Sequence, residues 1–192
     1  HLAVESESFE KRLKIFGYTQ EDLSTIINPM SSKAKESIGS MGTDTPLAVF
    51  SEKPQLLYNY FKQLFAQVTN PPLDGIREEI VTDISLRLGN DFNIFELSEI
   101  HAKKLLIQNP VISNEDLDKI KHLEHSDFKA ISVPILYEIH KGINGLEKSL
   151  VKIIEDIERQ IDLGANIIIL SDRGVSNYFA PIPMLLACAH VH

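Results

Sequence analysis

Between Ala130 and Leu170 the chain sets two β-rich apolar runs around one long amphipathic segment, and few folds accept that order. Ala130 to Leu136 is the first run. Asn144 and Glu147 then open a predicted helix, with Leu146, Leu150, Ile153, Ile154, Ile157 and Ile161 recurring at helical spacing on its inward face. Lys148, Lys152, Glu155, Asp156 and Arg159 fall on the opposite, water-facing side, and Gly164 is the predicted stop. Asn166 leads into Ile167-Ile168-Ile169-Leu170, a continuous apolar run of the kind found in strands covered on both faces. Strand, helix and strand in succession make a βαβ crossover, which requires a parallel sheet. The predicted fold class is therefore α/β: a parallel-sheet βαβ core flanked by helices, preceded by a helical N-terminal segment.

Upstream, the pattern is mainly helical. Phe9, Leu13 and Phe16 share one stripe ahead of Gly17, a predicted C-terminal stop. Thr19 and Asp22 have the spacing of a capping box before Leu23, Ile26 and Ile27, and Asn28-Pro29 is read as the end of that helix. Residues 31–46 are rich in Ser, Gly and Thr and read as a loop, followed by a short strand from Leu47 to Phe50. Pro54 introduces a helix carrying Leu56, Leu57, Tyr60, Phe61, Leu64, Phe65 and Val68, stopped by Asn70-Pro71-Pro72. Its Tyr58–Phe65 face is too apolar for open solvent, so it belongs to a core or to an interface with a partner domain. Asp74 caps a predicted helix with Ile76, Ile80, Ile84 and Leu88 on one face, closed by Gly89. Signal is weak from 90 to 127 apart from one short helix capped by Ser113 and carrying Leu117 and Ile120. Pro181 and Pro183 introduce a last helix, Met184 to Val191, and the chain stops while still apolar, as a piece of something longer would.

Composition narrows the function. The 192 residues carry 19 basic and 27 acidic side chains, a formal net of −8. A nucleic-acid or anionic-membrane partner requires a basic surface that releases counterions, so neither is expected. One cysteine allows no internal disulfide, which points to a cytoplasmic protein. No apolar run approaches the roughly 20 residues of a membrane span.

Candidate chemistry is sparse. Ser171-Asp172-Arg173-Gly174 follows the second strand, where ligands gather in open α/β sheets. The plainer reading is that Asp172 and Arg173 cap neighbouring helices or pair with each other. The loop Gly39-Ser40-Met41-Gly42-Thr43-Asp44-Thr45-Pro46 could bring backbone N–H groups to an anion. It lacks the Lys-Ser/Thr ending of a P-loop and the dinucleotide glycine pattern, so a shaped turn is the simpler account. Of the seven histidines, His122 and His125 lie three apart and His190 and His192 two apart. No carboxylate or thiolate clusters with them in sequence, and a structural role is expected. Cys188, among Leu185, Leu186 and Ala189, reads as a packed, inert thiol. Glu78 and Glu79 belong to a solvated helix face. No catalytic, cofactor-binding or metal-binding residue is assigned. On the residues alone, a small α/β ligand-binding module using Asp172, Arg173 and the Gly39–Thr45 loop stays open.

Three stretches carry a resemblance. The stretch Gly39 to Glu79, which includes Gly39-Ser40-Met41-Gly42-Thr43-Asp44-Thr45-Pro46 and Thr69-Asn70-Pro71-Pro72-Leu73-Asp74-Gly75, closely resembles the central region of glutamate synthase large subunits. Ile169-Leu170-Ser171-Asp172-Arg173-Gly174-Val175 and the ending Ala180 to His192 agree with it in order and spacing. Cys188 departs from the small aliphatic residue expected there.

The resemblance implies a fragment that lacks the amidotransferase and FMN-binding domains of its family. Residues 1–30 would be a helical linker from the preceding amidotransferase domain, and 31–192 the central α/β domain. The family hydrolyses glutamine in the first domain and passes ammonia internally to an FMN-binding barrel with an iron–sulfur cluster, where 2-oxoglutarate becomes glutamate. The partners implied are those two domains of the same polypeptide, and the cofactors lie in the parent enzyme. Met41 and Thr69, with Asn70 adjacent, resemble family positions that face the ammonia tunnel, while on the residues alone Met41 reads equally as core filling. Neutral ammonia requires a dry conduit with no carboxylate to hold it as ammonium.

Overall fold

The computed structural model describes residues 6–35, 46–61, 72–123 and 125–192. Contacts divide the chain into two units, 1–71 and 72–192.

In the first unit, helix α1 (Ser6–Ile15) ends in a left-handed Gly17 at φ 76°. The N–H groups of Gly17 and Tyr18 return to the carbonyls of Lys14 and Leu13, at 3.1 and 2.9 Å, which is a Schellman cap. Thr19 and Asp22 form the expected capping box. Thr19 Oγ1 accepts from the Asp22 N–H at 3.1 Å, and the Asp22 carboxylate accepts from the Thr19 N–H at 2.9 Å. The helix does not end at Asn28-Pro29. A π-helical turn (Asp22–Ile27) runs into α2 (Asn28–Lys33), where Pro29 sits in the first turn and its missing N–H costs no bond. Leu47 to Phe50 is not a strand. Phe50 and Ser51 donate back to Leu47 and Ala48, closing a 3₁₀ turn at Ala48–Phe50 that satisfies locally the groups a strand would have to share with a partner. Of the helix expected after Pro54, the described part is a 3₁₀ segment, Leu57–Phe61, and Leu64, Phe65 and Val68 lie outside the described residues.

The second unit holds the core. Asp74 caps α3 (Gly75–Val81), its carboxylate accepting from the Ile76 and Arg77 N–H groups at 3.1 and 2.9 Å. This helix stops seven residues short of the expected Leu88. The Thr82 hydroxyl donates to Glu78 O at 2.6 Å and Asp83 accepts from the Ser85 N–H at 2.8 Å, side-chain bonds that compete with helix propagation. Leu86–Leu88 is instead strand β1, antiparallel to β2 (Leu105–Ile107), and the Ile76 and Ile80 side chains stand exposed. Helix α4 (Asn114–Lys121) has its Ser113 cap as expected.

Strands β3 (Ala130–Pro134) and β5 (Ile167–Ser171) pair in parallel, Ala130 opposite Ile167 and Pro134 opposite Ser171. Helix α5 (Gly142–Asp162) crosses between them and begins two residues ahead of Asn144. It closes with a second Schellman cap, as Gly164 at φ 90° and Ala165 donate to Ile161 and Gln160. Strand β4 (Leu136–Glu138) pairs antiparallel with β6 (Phe179–Pro181), and α6 (Met184–Val191) follows Pro183. Ile153 and Ile157 of α5 pack with Val133, Ile135, Ile182 and Ala187, and Leu146, Leu150, Ile168 and Leu170 border them. Ile167, outside that cluster, is also buried, so the apolar run of β5 serves two faces. Ile161, read as inward, is 53% exposed in the last turn of α5. The α/β class and the βαβ unit are as expected.

Candidate functional site

The carboxyl end of β5 is built by short-range bonds. Ser171 O accepts from the Ile135 N–H at 2.8 Å, and Ser171 Oγ accepts from the Arg173 N–H at 3.4 Å. Further along, Ser176 Oγ accepts from the Tyr178 and Phe179 N–H groups, both at 3.2 Å, and the Ser176 N–H donates to Phe179 O. The loop thus turns its amides onto its own oxygens. Arg173 reaches outward and donates through Nη2 to Asn114 Oδ1 at 3.1 Å, across 59 residues of sequence, at the first residue of α4. Asp172 and Arg173 form no ion pair with each other among the described residues. What this arrangement does is tie the end of β5 to α4. Among the described residues no histidine pairs with Asp172, the histidine ion pairs going to Asp118, Asp127 and Glu138 instead.

A recess of about 480 Å³ lies between β2 and α4, lined by Leu105, Ile107, Val111, Ile112, Ile120 and Leu123. Asp116 and Lys119 pair at 2.9 Å beside it. The Lys119 ammonium, followed by the Ser113 hydroxyl, holds the Asp116 carboxyl below its ordinary value, which fixes it as an acceptor rather than a general acid. The recess is mostly apolar, and of the polar side chains that line it, Ser113, Asp116 and Lys119 are bonded to one another.

Histidines are dispersed. His122 Nδ1 lies 2.9 Å from Asp118 O, and His125 Nδ1 accepts from the Asp127 N–H at 3.2 Å. His190 and His192 are exposed at the end of α6. Among the described residues no three His, Cys, Asp or Glu side chains converge on a metal position. Cys188 is exposed, not packed: the inward stripe of α6 passes through Met184, Ala187 and Val191 and leaves it one step outside. Glu78 and Glu79 are exposed, as is every residue of α3. Met41, Thr69 and Asn70, with most of the Gly39–Pro46 loop, lie outside the described residues.

One residue with a clear structural task stands out only in three dimensions. Asn166 accepts from the Lys129 N–H at 2.8 Å and donates to Asp127 O at 2.6 Å, so its amide joins the starts of β3 and β5. Its position directly before an apolar run was the one hint available.

The fold and these contacts define an α/β module whose conspicuous polar residues hold elements together. The chain belongs to the glutamate synthase central domain family, whose model matches residues 11–192. It is 40% identical over 181 residues to the glutamate synthase (NADPH) large chain of Bacillus subtilis, covering 94% of this chain and 12% of that protein. It is 36% identical to the glutamate synthase (NADH) of Schizosaccharomyces pombe, over 95% of this chain and 9% of that protein. Against the chloroplastic ferredoxin-dependent glutamate synthase of Spinacia oleracea the identity is 38%, over 98% and 12%. The chain therefore spans about a tenth of the length of these relatives. No helix among the described residues is long and apolar enough to cross a membrane.

Proposed function

We propose that this chain is the non-catalytic connecting domain of a cytoplasmic glutamate synthase, an enzyme that makes L-glutamate from L-glutamine and 2-oxoglutarate. In this reading it links a glutaminase domain to an FMN-binding synthase domain of the same polypeptide and helps wall the ammonia passage between them. Residues 1–30 serve as the helical connection from the amidotransferase side and 31–192 as the central domain. Met41, Thr69 and Asn70 face the passage. The observation that carries the reading is the family match over residues 11–192, in relatives of which the chain spans only 9–12%.

The single cysteine and the loop after β5 do not fit the parent enzyme's cofactors. An iron–sulfur cluster takes several thiolates, commonly four, and this chain has one cysteine, exposed on α6. At the carboxyl end of β5 the amides of Arg173, Ser176, Tyr178 and Phe179 are bonded within the loop and are not free to hold a flavin phosphate. In this reading FMN and the cluster belong to other domains of the parent enzyme.

The test is Thr69→Trp in the whole enzyme. A bulky indole in the passage should let glutamine hydrolysis run ahead of glutamate formation, so that more than one glutamine is hydrolysed per 2-oxoglutarate converted. One-to-one coupling at normal rates would overturn the role of Thr69.

A further inference from the structure

The turn between β1 and the following 3₁₀ segment (Glu99–Ala102) pairs strong bracing with an exposed apolar surface. Asn93 organises it: its side-chain oxygen accepts from the Phe95 N–H at 3.1 Å and its carbonyl accepts from the Glu96 N–H at 3.0 Å. Ser98 caps the 3₁₀ segment by accepting from the Ile100 N–H, and His101 Nε2 contacts Glu96 O at 2.9 Å. The rings of Phe92 and His101 meet edge to face at 6.3 Å. Lys104 anchors the approach, donating to the carbonyls of Gly89 and Asn90 and pairing with Asp91.

This framework holds three large apolar side chains away from the unit it belongs to. Ile94 is 78% exposed, Phe95 88% and Leu97 106%. Isolated exposed apolar residues are commonplace, but three within four positions of one braced turn concentrate apolar surface in the way that marks an interaction site. The bracing matters because a preorganised turn loses little conformational freedom on docking. Asp91 is paired with Lys104, whereas Glu96, held by the Asn93 amide at 3.3 Å, and Glu99 have no ionic partner among the described residues and leave the turn with unpaired negative charge.

We propose that the turn from Asp91 to Ser98 is a docking plug that seats Ile94, Phe95 and Leu97 in an apolar, basic-rimmed recess on another domain of the same polypeptide. The inference rests on reading the chain as a module of a longer polypeptide. That reading supplies the occupant: about nine-tenths of each relative's length lies outside the matched region, and the unpaired negative charge selects a basic surround.

Benzoylphenylalanine in place of Phe95, in the full-length polypeptide, tests this directly. After irradiation and mass-spectrometric mapping, cross-links are expected on apolar residues beyond this 192-residue stretch, within one molecule, beside Lys or Arg. Cross-links to a second copy, to residues 1–71 of this chain, or to nothing would each overturn the plug. As a second readout, Phe95→Asp with Leu97→Asp should speed amide exchange at the cross-linked patch at least tenfold while far-ultraviolet circular dichroism is unchanged. Exchange unaltered at that patch would also overturn it. Failure of the module reading looks different, because the unirradiated native polypeptide would then have a mass near 21.6 kDa.

Discussion

The backbone N–H of Ile182 donates to the carbonyl of Ile135 at 2.9 Å, and these are the two largest fully enclosed side chains among the described residues. The Ile135 N–H donates in the other direction, to Ser171 at 2.8 Å. One residue thus joins the parallel pair β3–β5 to the antiparallel pair β4–β6, and its side chain fills the space under α5 and α6. The backbone link would survive a change of side chain, so the two contributions can be measured apart.

Ile135→Ala should therefore destabilise the protein by about 2–5 kcal/mol, the range for truncating an aliphatic side chain that neighbours cannot collapse around. Urea unfolding monitored by circular dichroism reads this as a lower midpoint at unchanged slope. A loss well below that range would mean that the site relaxes, and Ile135 would then act mainly through its backbone.

The features legible in the sequence were those whose partners lie close by. Thr19 with Asp22, Asp74 and Ser113 at helix starts, and Gly17 and Gly164 at helix ends, each satisfy groups within a few residues. The βαβ order was legible because three long patterns agreed. What escaped depended on distant or competing partners. Ile84 and Leu88 continue the helical spacing of Ile76 and Ile80, yet Leu88 pairs with Leu105 in a strand that nothing nearby announces. Arg173 and Asn114 meet across 59 residues. Asn28-Pro29 has the look of a stop, but a π turn resets the helix so that Pro29 falls in a first turn.

Gly145 offers a prediction that runs against helix propensity. In a helix interior Ala is favoured over Gly by about 1 kcal/mol. Here a β-carbon would lie 2.7 Å from Lys141 Cβ and 2.9 Å from the Glu138 carbonyl oxygen, and the position is buried. Backbone on one side leaves little to yield, so Gly145→Ala should destabilise by about 1–3 kcal/mol, as overpacking does. Thermal unfolding of the pair of proteins reads the sign. A rise in Tm would show that the short 3₁₀ turn ahead of α5, Ile139–Lys141, moves aside at little cost.

The first turn of α4 should titrate visibly. Ser113 Oγ accepts from the Asp116 N–H at 3.0 Å and donates to its carboxylate at 2.8 Å, while Lys119 donates at 2.9 Å. The Lys119 hydrogen bond first, then the Ser113 hydroxyl, depress the Asp116 carboxyl below its ordinary 3.8. Because the folded value lies beneath the unfolded one, the stabilisation is complete above about pH 3.8 and is lost as pH falls through the folded value. A carboxyl-carbon NMR titration should find Asp116 with a midpoint under 3.8, raised by Lys119→Met. A midpoint at or above the ordinary value would remove the Lys119 pair as its cause.

Arg173 separates a structural clamp from a ligand-binding module. If Asp172 and Arg173 formed a ligand site, this chain would bind FMN, 2-oxoglutarate or glutamine saturably, and Arg173→Ala would abolish that binding. The contact seen is instead a 3.1 Å hydrogen bond from an exposed guanidinium to the exposed Asn114, at the start of α4. Such a bond contributes about 1 kcal/mol or less. Arg173→Ala and Asn114→Ala should then each destabilise slightly and couple by that amount in a double-mutant cycle, with calorimetry showing no saturable binding before or after. Saturable binding lost with Arg173 would make the carboxyl end of β5 a ligand site. Zero coupling would remove the clamp and leave α4 held to the sheet by its packing on β3.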